Sequence, residues 1–311
     1  MAKILITESV HPIGPELLTA AGHTVVYADR DMDVIRREIV DADAVLVRII
    51  ELPGSLLATA KNLKIVSKHG VGYDNIDLDY CKSHGITVTI TPNANSLSVA
   101  EHAFTLMLTL AKNIIPVSNE YRTVGFAAKN HAPGIEMTGK TLGLIGMGRI
   151  GKHILHMCRD GLDMHVIVYD PYIGEVPEGV EKVDDLSELL RRADVVTLHC
   201  LLTDETRKLI DRERLALMKP TALLINCARG PIVDEAALIE ALENGRLAGA
   251  GLDVTDPEPV APDSPLFKLP NVIVTPHYAP TTVESATRVS KIAAENINAV
   301  LAGQEPVGRI V

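Results

Sequence analysis

The stretch Thr141-Leu-Gly-Leu-Ile-Gly146-Met-Gly148-Arg-Ile-Gly151 decides the fold. Its first five residues are an apolar run that reads as a buried strand, and Arg149–Arg159 reads as a helix, so the glycines mark the turn between them. The first glycine permits the tight turn, the second lets the backbone approach a pyrophosphate, and the third lets helix and strand pack closely. The unpaired N–H groups at the helix N-terminus would face those phosphates. The next strand runs through Val166-Ile-Val-Tyr into Asp170, the acid awaited about 20 residues further on. A carboxylate there can accept both ribose hydroxyls of NAD and would repel the 2′-phosphate of NADP. The plainer alternative, a glycine turn that merely packs, does not account for strand, helix and acid together.

Outward from this turn the chain alternates strands and helices. Before it, strands are predicted over residues 3–7, 24–27, 44–47, 64–67 and 86–89, with amphipathic segments near 14–21, 33–39, 55–60 and 77–83. From the turn onward, strands are predicted over 141–145, 165–169, 195–199, 222–226, 249–253 and 272–275. Short, continuously apolar strands separated by helices mean parallel sheets covered on both faces. The fold class is therefore α/β, with two doubly wound parallel-sheet domains. A helix from Ser96 to about Asn113 is apolar on most sides and marks the first crossing between domains, and a helix over 282–301 returns the chain at its end. Asp256–Pro265 is a rigid proline-rich loop.

Composition narrows the function classes. A chain of 311 residues suggests two domains at about 150 residues each. Hydrophobic residues make up 47% and charged residues 23%, the balance of a globular protein. The 40 acidic residues against 30 Lys and Arg give a formal charge of −10, which opposes nucleic-acid binding. With no Trp and three Phe, base-stacking platforms are not expected either. No run of about 18 apolar residues is present, so no membrane span is predicted. Cys81, Cys158, Cys200 and Cys227 are widely spaced in apolar company, which predicts four buried free thiols in a reducing compartment. The N-terminus turns polar at Glu8, too early for a signal peptide, so a cytoplasmic protein is expected.

Three polar residues follow consecutive strands of the second sheet. Arg229 comes after Leu223–Ala228, Glu258 after Gly251–Pro257, and His277 after Ile273–Pro276. Ligands of an open parallel sheet bind beyond the carboxyl ends of its strands, so all three would project to the edge that carries the glycine turn. A guanidinium can grip a carboxylate through two parallel hydrogen bonds. A histidine can give a proton to a ketone oxygen or take one from an alcohol, and a glutamate beside it favours imidazolium and fixes the ring. Each residue alone would more often be structural: an Arg at a helix start, a surface Glu, a core His. Three after neighbouring strands are harder to assign that way. His153 and His156 with Cys158 have metal-ligand spacing on a helix, but that helix has packing duties after the glycine turn, and no metal is predicted. His102 reads as a satisfied histidine near the domain junction, and Arg191-Arg192 as a solvated helix end.

Gly146–Gly151, Asn226-Cys-Ala-Arg-Gly-Pro-Ile-Val-Asp234, Leu252-Asp-Val-Thr-Asp-Pro-Glu258 and Thr275-Pro-His277 together resemble the D-isomer-specific 2-hydroxyacid dehydrogenase family. Lys68-His-Gly-Val-Gly-Tyr-Asp-Asn-Ile-Asp77 and Ser98-Val-Ala-Glu-His102 extend the resemblance along the whole chain. The resemblance implies a homodimer. It implies a flavodoxin-like substrate domain built from both chain ends (residues 1–97 and 281–311) and a Rossmann NAD-binding domain (98–280). By the same carry-over Arg229 would anchor substrate, and His277 with Glu258 would form the acid/base pair. The backbone N–H groups of Gly70, Val71 and Gly72 would meet the substrate carboxylate. Arg149, Ile150, Asp170, Thr206, Ala228 and Asp253 would contact NAD beside Gly146, Gly148 and Gly151. Tyr278, Leu201 and Phe126 depart from residues frequent in the family, which touches substrate identity and nicotinamide-side packing rather than reaction class.

Arg48 ends the strand over 44–47, and phosphoglycerate dehydrogenases of the family carry an arginine at the matching place, where it meets the phosphate. A second cation besides Arg229 suggests an acid with an anionic tail, such as 3-phosphoglycerate; the alternative is a surface pair of Arg48 with Glu51. The rival activities are hydroxypyruvate or glyoxylate reduction. From another class, a non-catalytic NAD-sensing co-repressor also occurs in the family. A formate dehydrogenase would carry Gln where Glu258 stands.

Overall fold

A computed structural model describes residues 1–311 and divides the chain into two compact units, Met1–Asn95 with Pro280–Val311, and Ser96–Ala279. In the first unit, strands β1 (Lys3–Ile6), β2 (Thr24–Tyr27), β3 (Ala44–Val47), β4 (Ile65–Lys68) and β5 (Thr87–Thr89) form a parallel sheet ordered β2-β1-β3-β4-β5. This is the flavodoxin-like order. The all-apolar β3 is buried throughout, as is β4, while the edge strand β2 is largely uncovered. Helices α1 (Ile13–Ala20), α2 (Met32–Glu38), α3 (Gly54–Leu57), α4 (Leu78–Ser83) and the last helix, α11 (Val283–Leu301), cover it. Ala293, Ala294 and Ile297 of α11 lie fully buried against Ile4, Ile6, Leu46 and Ile65, the two alanines letting the helix sit close to the strands. The C-terminal tail closes on β5, Ile310 N donating to Val88 O at 2.8 Å.

The second unit opens with α5 (Ser96–Ala111) and α6 (Ile114–Val124). Then follow β6 (Thr141–Ile145), α7 (Arg149–Leu162), β7 (His165–Tyr169), β8 (Val180–Lys182), α8 (Leu186–Arg192), β9 (Val195–Leu198), α9 (Arg212–Leu215), β10 (Leu223–Asn226), α10 (Glu235–Glu243), β11 (Gly249–Leu252) and β12 (Val272–Val274). The sheet is ordered β12-β11-β10-β9-β6-β7-β8 and every pair is parallel. Strand order reverses between β6 and β9, and there the glycine turn follows β6. β9 and β10 are buried at every position, with one apolar cluster on each face of the sheet. Both sheets are thus doubly wound and parallel, as the alternation predicted.

The pattern did not reveal β8, because Val-Glu-Lys is an edge strand with no buried position. Cys81, Cys158 and Cys227 are buried free thiols, but Cys200, just beyond β9, is only half-buried. No helix is long and apolar enough to cross a membrane.

Candidate active site

The glycine turn is shaped by the protein's own atoms at two of its three glycines. Gly146 has φ +90°, and a Cβ on it would stand 2.8 Å from the backbone of His199 and Cys200 beyond β9. A Cβ on Gly151 would overlap the Gly146 carbonyl, so α7 could not start so close to β6. Gly148 differs: a Cβ there would meet open space. No protein group forbids a side chain at Gly148, and the space beside it suits a ligand that approaches the backbone at the exposed start of α7.

Asp170 leaves β7 beside this turn. Its Oδ2 accepts from Met147 N at 2.9 Å and its Oδ1 from Tyr172 N at 3.0 Å. Each carboxylate oxygen keeps acceptor capacity after one such bond, so the half-buried group can still take a ligand hydroxyl. Across from it, Tyr172 donates its phenol hydrogen to Glu205 Oε2 at 2.8 Å. The neighbouring Thr206 donates its hydroxyl to Leu201 O at 2.6 Å and accepts from Thr203 N at 2.7 Å, so it shapes its own loop.

Arg229, Glu258 and His277 follow β10, β11 and β12, three adjacent strands. Because the strands are parallel, all three residues stand at the sheet edge that holds the glycine turn. The buried Asn226 braces the arginine loop: its Oδ1 accepts from Ala228 N at 3.0 Å and its Nδ2 donates to Arg229 O at 2.9 Å. Arg229 Nη1 donates to Ala228 O at 2.7 Å. Gly230 is required here, since a Cβ would overlap the Thr255 carbonyl of the loop carrying Glu258. That loop is fastened to α10 by Glu235, whose Oε2 accepts from Asp256 N at 2.9 Å. Burial outweighs this bond and holds the Glu235 carboxyl above its usual range.

His277 Nδ1 lies 2.7 Å from Glu258 Oε1, with 30% and 36% of the two side chains exposed, open enough to meet a small ligand. His277 adopts φ +52°, a left-handed conformation unusual for a residue with a side chain. Asp253 holds it there. His277 N donates to Asp253 O at 2.8 Å, while Tyr278 N and Ala279 N donate to the Asp253 carboxylate at 2.7 and 2.9 Å. Thr275 adds its hydroxyl to Oδ1 at 2.6 Å. Asp253 is 1% exposed. The resemblance makes it a cofactor contact, and its geometry makes it the anchor of the His277 loop. Thr275, Glu235 and Gly230 escaped the sequence reading: their roles come from contacts between loops distant in the chain.

Arg48, Gly70, Val71 and Gly72 lie in the other unit. Glu8, 2% exposed, accepts from Arg48 N at 2.7 Å and Ile49 N at 2.9 Å and so fixes the turn after β3. The Arg48 guanidinium donates to Ser9 O at 2.9 Å rather than pairing with Glu51. Lys68 ties the same turn by bonding Arg48 O and, at 2.5 Å, Asn75 Oδ1. Gly70 N donates to Lys68 O at 3.0 Å, so within this glycine loop the N–H groups suited to a ligand are those of Val71 and Gly72.

A parallel sheet of this order, with a glycine turn at its switch point and an acid after the next strand, defines the Rossmann class of dinucleotide-binding folds. Residues 104–279 match the family described as "D-isomer specific 2-hydroxyacid dehydrogenase, NAD binding domain". The chain is 42% identical over 308 residues to the D-3-phosphoglycerate dehydrogenase of Methanocaldococcus jannaschii, covering 98% of this chain and 58% of that one. It is 37% identical over 316 residues to the glyoxylate reductase of Thermofilum pendens, covering 98% and 93%. The crystal structure of a D-lactate dehydrogenase from Aquifex aeolicus, complexed with NAD and lactic acid, superposes with a TM-score of 0.87 at 32% identity over 96% of both chains. The chain belongs to the D-isomer specific 2-hydroxyacid dehydrogenase family. It spans little more than half the length of the phosphoglycerate dehydrogenase it matches.

Proposed function

We propose that the protein is an NAD-dependent oxidoreductase that interconverts a D-2-hydroxy acid and its 2-keto acid. The observation that carries this function is the His277–Glu258 pair, which follows β12 and β11 beside the strand β10 that leads to Arg229, on the sheet edge that bears the glycine turn. The cofactor fits the residues present: open space at Gly148, the start of α7 with Arg149 and Ile150, and the Asp170 carboxylate beside them. Ala228 and Thr206 stand on loops that follow β10 and β9 at the same edge. Bound NAD supplies the hydride acceptor for oxidation or, when reduced, the hydride donor.

The chain's own residues do the rest. Arg229 binds and orients the substrate carboxylate. His277 has its Nδ1 engaged by Glu258, which leaves Nε2 to exchange the proton. In reduction Nε2 gives a proton to the keto oxygen, and in oxidation it takes one from the hydroxyl. Glu258 fixes the ring through its hydrogen bond to Nδ1. Asp253 keeps the pair in place through the backbone of residues 277–279.

Several finer assignments go with this function. The seven-stranded unit is the cofactor domain and the five-stranded unit the substrate domain. Asp170 selects NAD over NADP. Arg48 takes an anionic tail, as on 3-phosphoglycerate, with hydroxypyruvate or glyoxylate as the rival substrates. A homodimer is supported by α6 and the turn after it, where Ile114, Ile115, Tyr121, Val124 and Phe126 are all exposed within 13 residues of chain, the kind of apolar exposure that marks protein–protein contact. Four free cysteines support a reducing, cytoplasmic setting. NADH consumption with glyoxylate, hydroxypyruvate and 3-phosphohydroxypyruvate tests the function. Turnover of at least one is expected, and binding of NADH with no turnover of any would point to the co-repressor type instead.

A further inference from the structure

His102, on α5, stands behind the loop that carries His277. Its Nε2 lies 3.0 Å from Thr275 Oγ1 and 3.5 Å from Asp253 Oδ1, and its ring meets the Tyr278 ring edge-on with centroids 6.1 Å apart. It therefore touches residues on both sides of His277. The direction of these hydrogen bonds can be deduced. A carboxylate only accepts, so the 2.6 Å contact between Thr275 Oγ1 and Asp253 Oδ1 uses the one hydroxyl hydrogen of Thr275. Thr275 Oγ1 must then accept from His102, so Nε2 of His102 carries its proton. The result is a directed chain: His102 Nε2–H to Thr275 Oγ1, Thr275 O–H to Asp253 Oδ1, and Asp253 in turn holding Tyr278 N and Ala279 N.

We propose that His102 is a positioning residue for His277, acting through Thr275 and Asp253, granted the dehydrogenase function above. His277 holds a left-handed φ of 52° that costs free energy in a residue with a Cβ, so it persists only if its neighbours fix it. Asp253 supplies the acceptors. His102 supplies the donor that orients the Thr275 hydroxyl toward Asp253, and its ring backs Tyr278. Without that donor Thr275 can turn away, one hydrogen bond leaves Oδ1, and the loop gains freedom. Acid/base transfer is sensitive to such small displacements.

Two variants separate this role from mere packing. His102→Leu removes the donor and keeps most of the volume, while His102→Gln restores an N–H donor. Two readouts apply: kcat and the KM for NADH with the best 2-keto acid, and hydrogen exchange of the peptide spanning residues 272–280, which needs no activity. His102→Leu is expected to lower kcat ~10-fold at unchanged KM for NADH, and to speed exchange at 277–279 by about the same factor with β6 unaffected. His102→Gln is expected to return both to near the parent values. Unchanged exchange in His102→Leu, or a His102→Gln variant as impaired as His102→Leu, would overturn the proposal. If the parent turns over no keto acid, the dehydrogenase function fails, and the exchange arm alone decides whether His102 fixes the loop.

Discussion

Glu258 Oε1 and His277 Nδ1 are 2.7 Å apart although they follow different strands, β11 and β12, and the loop that brings Glu258 there is tied to α10 by Glu235. A carboxylate at this distance orients the imidazole through a charge-assisted hydrogen bond. Glu258→Gln keeps the shape but leaves only a neutral hydrogen bond to hold the ring. Turnover should fall roughly 10-fold in Glu258→Gln, with NADH affinity near that of the parent. Unchanged turnover would show that Glu258 acts through shape alone.

Asp170 should set cofactor preference. The parent should show the higher kcat/KM with NADH than with NADPH, because a 2′-phosphate would approach a carboxylate already fixed by Met147 N and Tyr172 N. Asp170→Ala should narrow the gap and weaken NADH binding as well, since two backbone N–H groups lose their acceptor. A parent that prefers NADPH at equal concentration would refute the assignment.

Arg48 is held by Ser9 O through its side chain and by Glu8 through its backbone, at the end of β3. If it meets an anionic tail, Arg48→Ala should weaken transition-state binding of phosphorylated acids by about 1.5–3 kcal/mol, the range for hydrogen bonds to charged groups. Glyoxylate turnover should hardly change. Equal losses on both substrates would make Arg48 structural.

Each unit holds a half-buried histidine, with one ring nitrogen fully enclosed, that stays neutral when folded. Burial drives the His199 imidazole down to about 3, and burial with the nearby Arg48 and Lys68 charges drives His69 down to about 3. In the unfolded chain the usual value is about 6.5. Above pH 6.5 neither state binds the proton and stability is full. Below it the unfolded chain gains protons that the folded chain refuses, so stability falls as pH drops from about 6.5 toward 3. Each group contributes a slope of up to about 1.4 kcal/mol per pH unit there. Thermal midpoints between pH 7 and 4.5 should fall steadily, and His199→Asn should flatten the decline even if it starts lower. A parallel decline in parent and variant would mean that His199 is not one of the groups responsible.

Much of this was legible in the sequence. The all-apolar runs at Ala44–Val47 and Leu223–Ile225 marked central parallel strands because such strands are buried on both faces. The glycine turn and the strand-end placement of Asp170, Arg229, Glu258 and His277 were legible because residue type and spacing mark where each strand stops. Strand β8 was not, since a short polar edge strand leaves no period. Asp253 was named only through the family resemblance; that it anchors residues 277–279 depends on the register of β11 with β12. His102 read as a satisfied histidine. That its partner is Thr275, far along the chain, follows only from the packing of α5 over the sheet.

His277→Asn tests the central claim most directly. The variant is assayed for NADH-dependent reduction of the best 2-keto acid, beside a fluorescence titration of NADH. Turnover should drop by about 10²–10⁴, the usual share of general acid catalysis, while NADH affinity stays within about twofold of the parent. Turnover retained within a few-fold in His277→Asn, with NADH bound normally, would contradict the assignment of His277 as the proton-exchanging residue.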